Sequence, residues 1–322
     1  MAPLEVCVSL EALAVDAVWK RYGEHDALRG VRFSVQSGEA VGYLGPNGAG
    51  KTTTLKILAG ISRPTRGTVR VQGFDPSGDR ARAMRRLGAL VETLGVPPYL
   101  NGADLLEYVA KVKGVPAAER RLAGRRAAEA VDVAEQLARP FGSLSTGLAR
   151  RMLLAAALVG DPEILLLDEP TLGLDPAARH DLRNLLRGLC RNGLTLLLST
   201  HLLDDVQEVC GRVLFLRNGS LVGDEPVDLE PAGGPRAPRR VLRLRFAADV
   251  SAESIARAVG AESAVVLDGP RQATVRFSGD DSEQAGIVAV VVRAGLPLIS
   301  ASAPEPDLAR RYLERVGRED EA

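Results

Sequence analysis

The sequence lacks the features that mark several classes of protein. Its formal net charge is zero, with 41 basic and 41 acidic residues, which argues against a general nucleic-acid-binding surface. Its three cysteines, Cys7, Cys190 and Cys210, show no CxxC spacing and have no histidine neighbours, so a metal site and a disulfide framework are both disfavoured. We therefore expect a cytosolic protein with reduced, buried thiols.

Long hydrophobic runs are also missing. The longest apolar runs fall far short of the roughly 20 residues needed to cross a bilayer; they are Met152–Val159, Ile164–Leu167 and Ile287–Val292. The N-terminal residues are apolar but include Glu5 and Glu11 and lack a positive leader, so we expect no signal peptide. The sequence thus predicts a chain that does not span a membrane.

With 322 residues, the chain is long enough for two domains, and the first has the pattern of an α/β fold. From Val15 to about Val222, apolar segments alternate with helical patterns, which predicts a largely parallel sheet. The predicted strands are Val31–Val35, Ala40–Leu44, Leu87–Val91, Glu163–Leu167, Leu194–Ser199 and Arg212–Leu216. A composition rich in Ala, Leu, Glu and Arg, clearest from Asn101 to Ala138, predicts an inserted helical subdomain over about 93–146.

Proline and glycine accumulate over residues 224–240, which predicts a linker. This divides the chain into an N-terminal tail (1–14), a first domain (15–223) and a C-terminal accessory domain (241–322). The patterns of the accessory domain follow the order βαββαβ, which predicts a small α+β domain of the ferredoxin-like, split βαβ type. A helical pattern over Asp307–Val316 predicts a closing helix.

The most informative segment is GPNGAGKTT, which directly follows the apolar stretch Ala40–Leu44 and matches the spacing GxxxxGK[ST]. Glycines let backbone N–H groups surround a phosphate, and the next helix directs its positive end to the same place. Lys51 is predicted to reach the β- and γ-phosphates, and the Thr52 hydroxyl to ligate Mg2+. The predicted phosphate loop comprises Gly45, Pro46, Asn47, Gly48, Ala49, Gly50, Lys51, Thr52 and Thr53.

A second motif, ILLLDEP over Ile164–Pro170, narrows the class of nucleotide-binding protein. As a buried strand, it delivers Asp168 and Glu169 to the C-terminal edge of the sheet, where open α/β sheets bind their ligands. Asp168 is then positioned to hold Mg2+ through its water shell. Glu169 is positioned to orient or deprotonate the water that attacks a phosphate.

Three more segments occur in a fixed order after the phosphate loop. With them the chain resembles an ATP-binding cassette (ABC) ATPase, the nucleotide-binding subunit of a membrane transporter. Ser145–Gly147 in LSTGLARR resembles the signature loop of this family. Asp175 in GLDP matches the loop that links two active sites, and His201 in LLLSTH matches the switch histidine. The resemblance implies that His201 bonds the γ-phosphate and holds the attacking water together with Glu169.

An aromatic residue upstream of the phosphate loop completes the resemblance. Tyr22 in WKRYG matches the family's aromatic residue that stacks on adenine. Trp19 is the competing candidate, and a core position for either residue stays open. His25 and His180 belong to no motif and are predicted to lie at the surface.

Two motifs depart from the family pattern. Glu92 stands where most such cassettes carry a glutamine that touches Mg2+ and the attacking water, and a glutamate can still ligate Mg2+. The sequence around Glu92 resembles the branch that exports peptide antibiotics or drugs. In the signature, Thr146 and Leu148 stand where glycine and glutamine are commonest.

The resemblance implies a subunit that binds and hydrolyses ATP with Mg2+. Two cassettes pair head to tail, so that the Ser145 loop of one chain completes the Lys51 site of the other. A separate membrane permease would export a drug, peptide or lipid-like substrate, with the cassette on the cytoplasmic face of the membrane and no nucleic acid bound. The implied ATP contacts beyond the phosphate loop are Tyr22, Glu92, Ser145, Gly147 and Asp175. The implied catalytic residues are Lys51, Glu169 and His201. The implied metal ligands are Thr52, Asp168 and Glu92.

The alternative is an ABC ATPase that acts on DNA, ribosomes or an assembly process without transport. DNA-acting relatives carry a long coiled coil between the two nucleotide motifs, and ribosome-acting relatives carry two cassettes in one chain. This sequence has neither feature.

Overall fold

A computed structural model of the chain describes residues 11–91, 95–227, 239–259, 264–278 and 281–302. These residues form two compact units, of which the first reaches Val227 and the second begins at Arg239. No helix in the described ranges has the length and apolarity of a membrane span. Cys7, Glu92 and the predicted helix Asp307–Val316 lie outside the described residues.

Nine strands and seven α-helices are described in the first unit. The strands are β1 (Glu11–Tyr22), β2 (His25–Gln36), β3 (Ala40–Leu44), β4 (Arg66–Val71), β5 (Leu87–Leu90), β6 (Ile164–Asp168), β7 (Thr195–Thr200), β8 (Arg212–Arg217) and β9 (Ser220–Pro226). The helices are α1 (Lys51–Leu58), α2 (Arg80–Arg85), α3 (Gly102–Val112), α4 (Arg120–Ala130), α5 (Thr146–Leu158), α6 (Pro176–Arg191) and α7 (Leu203–Val209).

A six-stranded sheet with the order β5-β6-β7-β3-β8-β9 carries the site. Its first five strands are parallel, and β9 runs antiparallel at the edge. The near-continuous apolar sequences of β6 and β7 are buried, as expected for parallel strands that are covered on both faces. In register, Asp168 pairs with Ser199 and Leu44 with Thr200, so β3, β6 and β7 end at one edge.

The first unit also contains a separate antiparallel sheet with the order β2-β1-β4, which the sequence pattern did not predict. The predicted strand Val31–Val35 belongs to β2, and it pairs with β1 rather than with the parallel sheet. β1 begins at Glu11, ahead of the predicted domain start at Val15, because Leu13 already packs in the core. A register shift next to Ala17, whose φ is 46°, breaks the regular alternation of β1.

The segment between β5 and β6 is helical, in the region where the composition predicts a subdomain. Helices α3 and α4 pack together through Leu106 and Gly124, and a Cβ on Gly124 would lie 3.0 Å from the Leu106 Cβ. Asn101 caps α3 by accepting a hydrogen bond from the Asp104 backbone N–H at 2.8 Å. α5 follows and leads into β6.

The second unit contains β10 (Arg239–Phe246), α8 (Ala252–Val259), β11 (Ala264–Gly269), β12 (Gln272–Ser278), α9 (Asp281–Arg293) and β13 (Leu298–Ser302). Its strands form an antiparallel sheet with the order β11-β12-β10-β13, the arrangement of a split βαβ unit. The buried side chains that form its core are apolar.

The ends of the predicted linker 224–240 are strands. β9 extends to Pro226, and Asp224 pairs with Leu214 of β8. The Asp224 carboxylate accepts hydrogen bonds of 2.6 and 2.7 Å from Arg212, which holds the chain in the sheet despite the turn-forming composition. β10 likewise begins at Arg239, ahead of the predicted domain start.

Candidate active site

The loop between β3 and α1 has the backbone that its glycines predict. A Cβ on Gly45 would lie 2.3 Å from the carbonyl oxygen of Leu216, so no larger residue fits. Gly50 has a φ of 106°, and its Cβ would lie 2.6 Å from the Ala27 carbonyl oxygen. Gly48, with a φ of 79°, has no other atom within 4 Å of an added Cβ, so its backbone faces open space. The loop is therefore fixed by close packing at two glycines and accessible to a ligand at the third.

Lys51 begins α1, and its side chain is buried, with 6% exposure. Its ammonium group donates to the carbonyl oxygens of Gly45 at 2.7 Å and Pro46 at 3.2 Å. The same nitrogen lies 3.4 Å from Oε1 of Glu169. A cation is thus held between the phosphate loop and the acid that follows β6.

Thr52 and Asp168 are in direct contact. The Thr52 hydroxyl donates to Oδ2 of Asp168 at 2.7 Å, and the Ser199 hydroxyl donates to Oδ1 at 2.6 Å. Hydroxyl and carboxylate oxygens are the ligands that Mg2+ prefers, so this pair fits the predicted metal. No group of three or more His, Cys, Asp or Glu in the described ranges could hold a metal, so a Mg2+ ion here would also need oxygens from a nucleotide or water.

Glu169 has an unusual backbone and a paired carboxylate. Its φ is 45°, in the left-handed region that non-glycine residues seldom occupy. Its N–H donates to the Ser199 carbonyl at 2.9 Å. Oε2 lies 2.9 Å from Nδ1 of His201, while the buried Oε1 has no hydrogen-bond partner within the described part of the chain. The structure therefore brings Glu169, His201 and Lys51 together.

Arg150 of α5 also contacts this loop, and no motif in the sequence pointed to it. Its guanidinium donates to the Glu169 carbonyl oxygen at 3.1 Å. Burial lowers the pKa of Arg150, an effect that the negative charge of Asp168 opposes. Ser199 was missed as well, because a serine at the end of an apolar strand carries no distinctive spacing.

Ser145, Gly147 and Asp175 lie at the starts of two neighbouring helices. Ser145 is exposed and caps α5 by accepting from the Leu148 N–H at 3.3 Å. Asp175 caps α6 by accepting from the Ala178 N–H at 2.9 Å. A Cβ on Gly147 would lie 3.7 Å from that of Ala178, so the two helix starts are adjacent. Within the described ranges, none of these three residues forms a hydrogen bond to Lys51, Glu169 or His201.

The two aromatic candidates differ in their surroundings. Tyr22, at the end of β1, is 47% exposed, and the Lys20 ammonium lies 4.8 Å from its ring centre. Trp19 is 40% exposed, and its indole lies against Gly30, where an added Cβ would be 3.2 Å from Nε1. Both rings are therefore outside the core.

The remaining cysteine and histidine predictions concern residues away from the site. His25 and His180 are exposed, as predicted. Cys210 is buried, and burial raises the pKa of its thiol well above the usual range. Cys190 is partly buried, and burial raises the pKa of its thiol to about 11. Both thiols are free and poorly reactive.

Comparison with known proteins identifies the family. Residues 28–172 match the family described as "ABC transporter". The Nod factor export ATP-binding protein I of Ralstonia nicotianae is 37% identical over 211 residues, or 66% of each chain. The daunorubicin resistance ATP-binding protein DrrA3 of Streptomyces coeruleorubidus is 31% identical, and the match covers 95% of this chain and 96% of that protein.

A solved structure agrees with this assignment. The dimeric post-hydrolysis state of the ATP-binding cassette MJ0796, bound to ADP and Pi, aligns with a TM-score of 0.61 and 25% identity. The alignment covers 67% of this chain and 98% of that one. The chain thus belongs to the ABC transporter family and is an ATP-binding cassette with ATPase activity.

Proposed function

We propose that this cassette hydrolyses ATP with Glu169 as the base and thereby powers an export transporter. The observation that carries the proposal is the position of the Glu169 carboxylate, 3.4 Å from the Lys51 ammonium and 2.9 Å from His201. The names of the relatives, which refer to Nod factor export and daunorubicin resistance, support export. An exported drug, peptide or lipid-like molecule is consistent with both names.

Lys51 and the phosphate loop bind the triphosphate. The backbone around Gly48 is open to a ligand, and the first turn of α1 provides N–H donors next to a buried cation. Lys51 exchanges its bonds to Gly45 and Pro46 for bonds to phosphate oxygens. Thr52 and Asp168 would hold Mg2+ together with Glu92, a residue outside the described ranges. When bound, Mg2+ neutralises charge on the phosphate oxygens.

Glu169 and His201 act on the attacking water. The Glu169 carboxylate accepts the proton of the water or orients it, and His201 restrains the carboxylate through Nδ1. This contact leaves Nε2 of the imidazole to face the γ-phosphate. Lys51 offsets negative charge on the phosphate, so the reaction proceeds by positioning and charge stabilisation, without a covalent enzyme intermediate.

A second copy of the chain, or a paired cassette, completes the site. Ser145 is exposed at the start of α5, adjacent to the start of α6 with Asp175, and among the described residues neither forms a hydrogen bond to Lys51, Glu169 or His201. Ser145 and Gly147 therefore bind ATP held by the partner, and Asp175 connects the two sites. The dimeric state of MJ0796 supports this arrangement.

The adenine contact, the permease and the division into domains are also part of the proposal. Tyr22 stacks on adenine, since its ring is exposed. A separate permease contacts the region from Glu92 to Leu106, where Tyr99 is 80% exposed, and the cassette lies on the cytoplasmic face of the membrane. The first unit, described from Glu11 to Val227, forms the ATPase domain, and the second, described from Arg239 to Ser302, forms an accessory domain.

The substitution Glu169→Gln tests the hydrolytic role. It removes the base and keeps the shape of the side chain, so we expect kcat to fall by at least about 100-fold. ATP affinity, measured with a fluorescent ATP analogue, should stay within about twofold. Glu163→Gln is the matched control, because Glu163 precedes β6 at the opposite edge of the sheet. Hydrolysis at the unsubstituted rate by Glu169→Gln would exclude Glu169 as the base.

The transport role has a separate test. The tagged chain is purified from a detergent extract of its native cells, and the proteins that accompany it are identified. A polytopic membrane protein is the expected partner. Recovery of ribosomes or DNA in its place would overturn the transport proposal in favour of a cassette without a permease, and would leave the assignment of Glu169 intact.

A further inference from the structure

A buried carboxylate lies behind the candidate active site, on α7. Asp205 has 0% exposure, and nothing in the sequence motifs assigns a role to it. A buried carboxylate is costly unless its oxygens are paired, so its partners indicate why it is there.

The partners of Asp205 come from the two loops that carry the catalytic pair. Oδ2 accepts a hydrogen bond of 2.5 Å from the Thr171 hydroxyl and one of 3.3 Å from the Thr200 hydroxyl. Thr171 lies two residues after Glu169, and Thr200 directly precedes His201. A single carboxylate oxygen therefore joins the segment after β6 to the end of β7.

The end of β7 is further ordered by the same hydroxyl. Thr200 Oγ1 accepts a hydrogen bond of 3.0 Å from the backbone N–H of Leu202. The Thr200 hydroxyl, directly before His201, thus bonds both Asp205 and the backbone N–H directly after His201. Loss of the Thr200 hydroxyl would leave both Asp205 and the Leu202 N–H with one partner fewer.

Among the described residues, no cation lies within hydrogen-bonding distance of the Asp205 carboxylate. Oδ1 has no hydrogen-bond partner in the described part of the chain, and the Arg183 Nε lies 3.8 Å away. Arg183 donates to Glu208 at 2.7 Å, and Arg187 donates to the same carboxylate at 3.0 Å. The hydroxyl bonds are therefore the short contacts that Asp205 makes, and they are directed at the catalytic loops.

We propose that Asp205 is a positioning residue that sets the separation between Glu169 and His201. The inference rests on the proposed role of Glu169 as the base. The backbone of Glu169 has a φ of 45°, a conformation that persists only when its surroundings hold it. Thr171 and Thr200 transmit the position of Asp205 to the two catalytic side chains, and catalytic rates are sensitive to displacements of about 1 Å.

Single threonine substitutions test the proposal. Thr171→Val and Thr200→Val each remove one hydroxyl and keep the shape of the side chain. We expect each to lower kcat by roughly 10- to 100-fold while the KM for ATP stays within about twofold. Thr171→Ser keeps the hydroxyl, and it should retain most of the activity.

Thr195→Val is the matched control for stability. Thr195 is also a buried threonine of β7, but it lies at the other end of the strand and accepts a hydrogen bond from Gly38. We expect this variant to lose stability in urea unfolding while it keeps nearly full kcat. The proposal is overturned if Thr171→Val and Thr200→Val lose no more kcat than Thr195→Val, or if their KM rises in parallel.

A double-mutant cycle tests the link to Asp205 itself. Asp205→Leu, which removes both carboxylate oxygens, combined with Thr171→Val should be no slower than the slower single variant, because both changes break one connection. Losses of kcat that multiply would overturn the inference. Glu169→Gln is measured alongside: if it hydrolyses ATP normally, the proposed base has failed, whereas its inactivity with active threonine variants rejects the Asp205 inference alone.

Discussion

The first unit buries several polar side chains, most of them near its site, whereas the core of the second unit is apolar. The buried polar residues in the described ranges all belong to the first unit: Lys51, Thr54, Thr171, Arg183, Thr195, Ser199, Thr200 and Asp205. The core of the second unit comprises Leu242, Leu244, Phe246, Ile255, Ala273, Val275, Phe277, Ile287 and Val291. Because buried polar groups stabilise a fold less than apolar groups do, those that surround Lys51, Glu169 and His201 mark this region as the candidate functional site.

Aromatic residues differ in part between the two units. Both units bury aromatic rings, such as Tyr43 and Phe215 in the first and Phe246 and Phe277 in the second, but the first unit also exposes Trp19 and Tyr22 on its antiparallel sheet. An exposed ring contributes little to the core and remains available for contact with a ligand.

The largest expected effect comes from Lys51→Ala. The loss of a cation directed at the phosphates should lower kcat/KM by roughly 100- to 1,000-fold and weaken ATP binding. Lys113→Ala is the control, because Lys113 also donates to two backbone carbonyls, those of Ala157 at 2.9 Å and Val159 at 2.7 Å. ATPase assays and nucleotide titration measure both variants, and unchanged ATP affinity in Lys51→Ala would contradict the phosphate-loop assignment.

An effect on stability, without loss of hydrolysis, is expected for Phe246→Ala in the second unit. Removal of this fully buried ring should reduce the free energy of unfolding of that unit by about 3 to 5 kcal/mol. Urea unfolding of the full chain measures the loss, and the ATPase rate should remain near that of the unsubstituted protein. A parallel collapse of hydrolysis would contradict the division of labour between the two units.

The smallest effect is expected for Tyr22→Ala. The loss of base stacking should raise the KM for ATP by roughly 5- to 150-fold, equivalent to about 1 to 3 kcal/mol, with little change in kcat. Trp19→Ala, which changes a neighbouring exposed ring, provides the comparison. If Trp19→Ala produced the larger increase, the adenine contact would belong to Trp19.

The parts of the fold that sequence predicted best are those with one strong local signal. The apolar runs of β3, β6 and β7 identify buried strands, and the glycines and Lys51 identify the loop between β3 and α1. The antiparallel sheet was harder, because β1 loses its alternation near Ala17. The end of β9, from Asp224 to Pro226, resembles a linker in composition, but it pairs with β8, where Arg212 bonds the Asp224 carboxylate.

The residues of the site also differ in how well local sequence signals predict them. The contact of Glu169 with His201 could be predicted, because each residue follows a recognisable apolar strand. Arg150 and Asp205 could not, since their partners come from separate elements and no fixed spacing connects them. Sequence motifs thus identify the candidate catalytic groups, and the structure is needed to find the side chains that contact them.

The left-handed backbone of Glu169 has an evolutionary consequence. A side chain with a Cβ in this conformation costs roughly 1 to 2 kcal/mol, whereas asparagine and glycine tolerate it better. Drift from Glu169 to asparagine or glycine would relieve this strain and, under the role proposed for Glu169, would also remove the base. A cassette of this design can then lose catalysis while it keeps its fold.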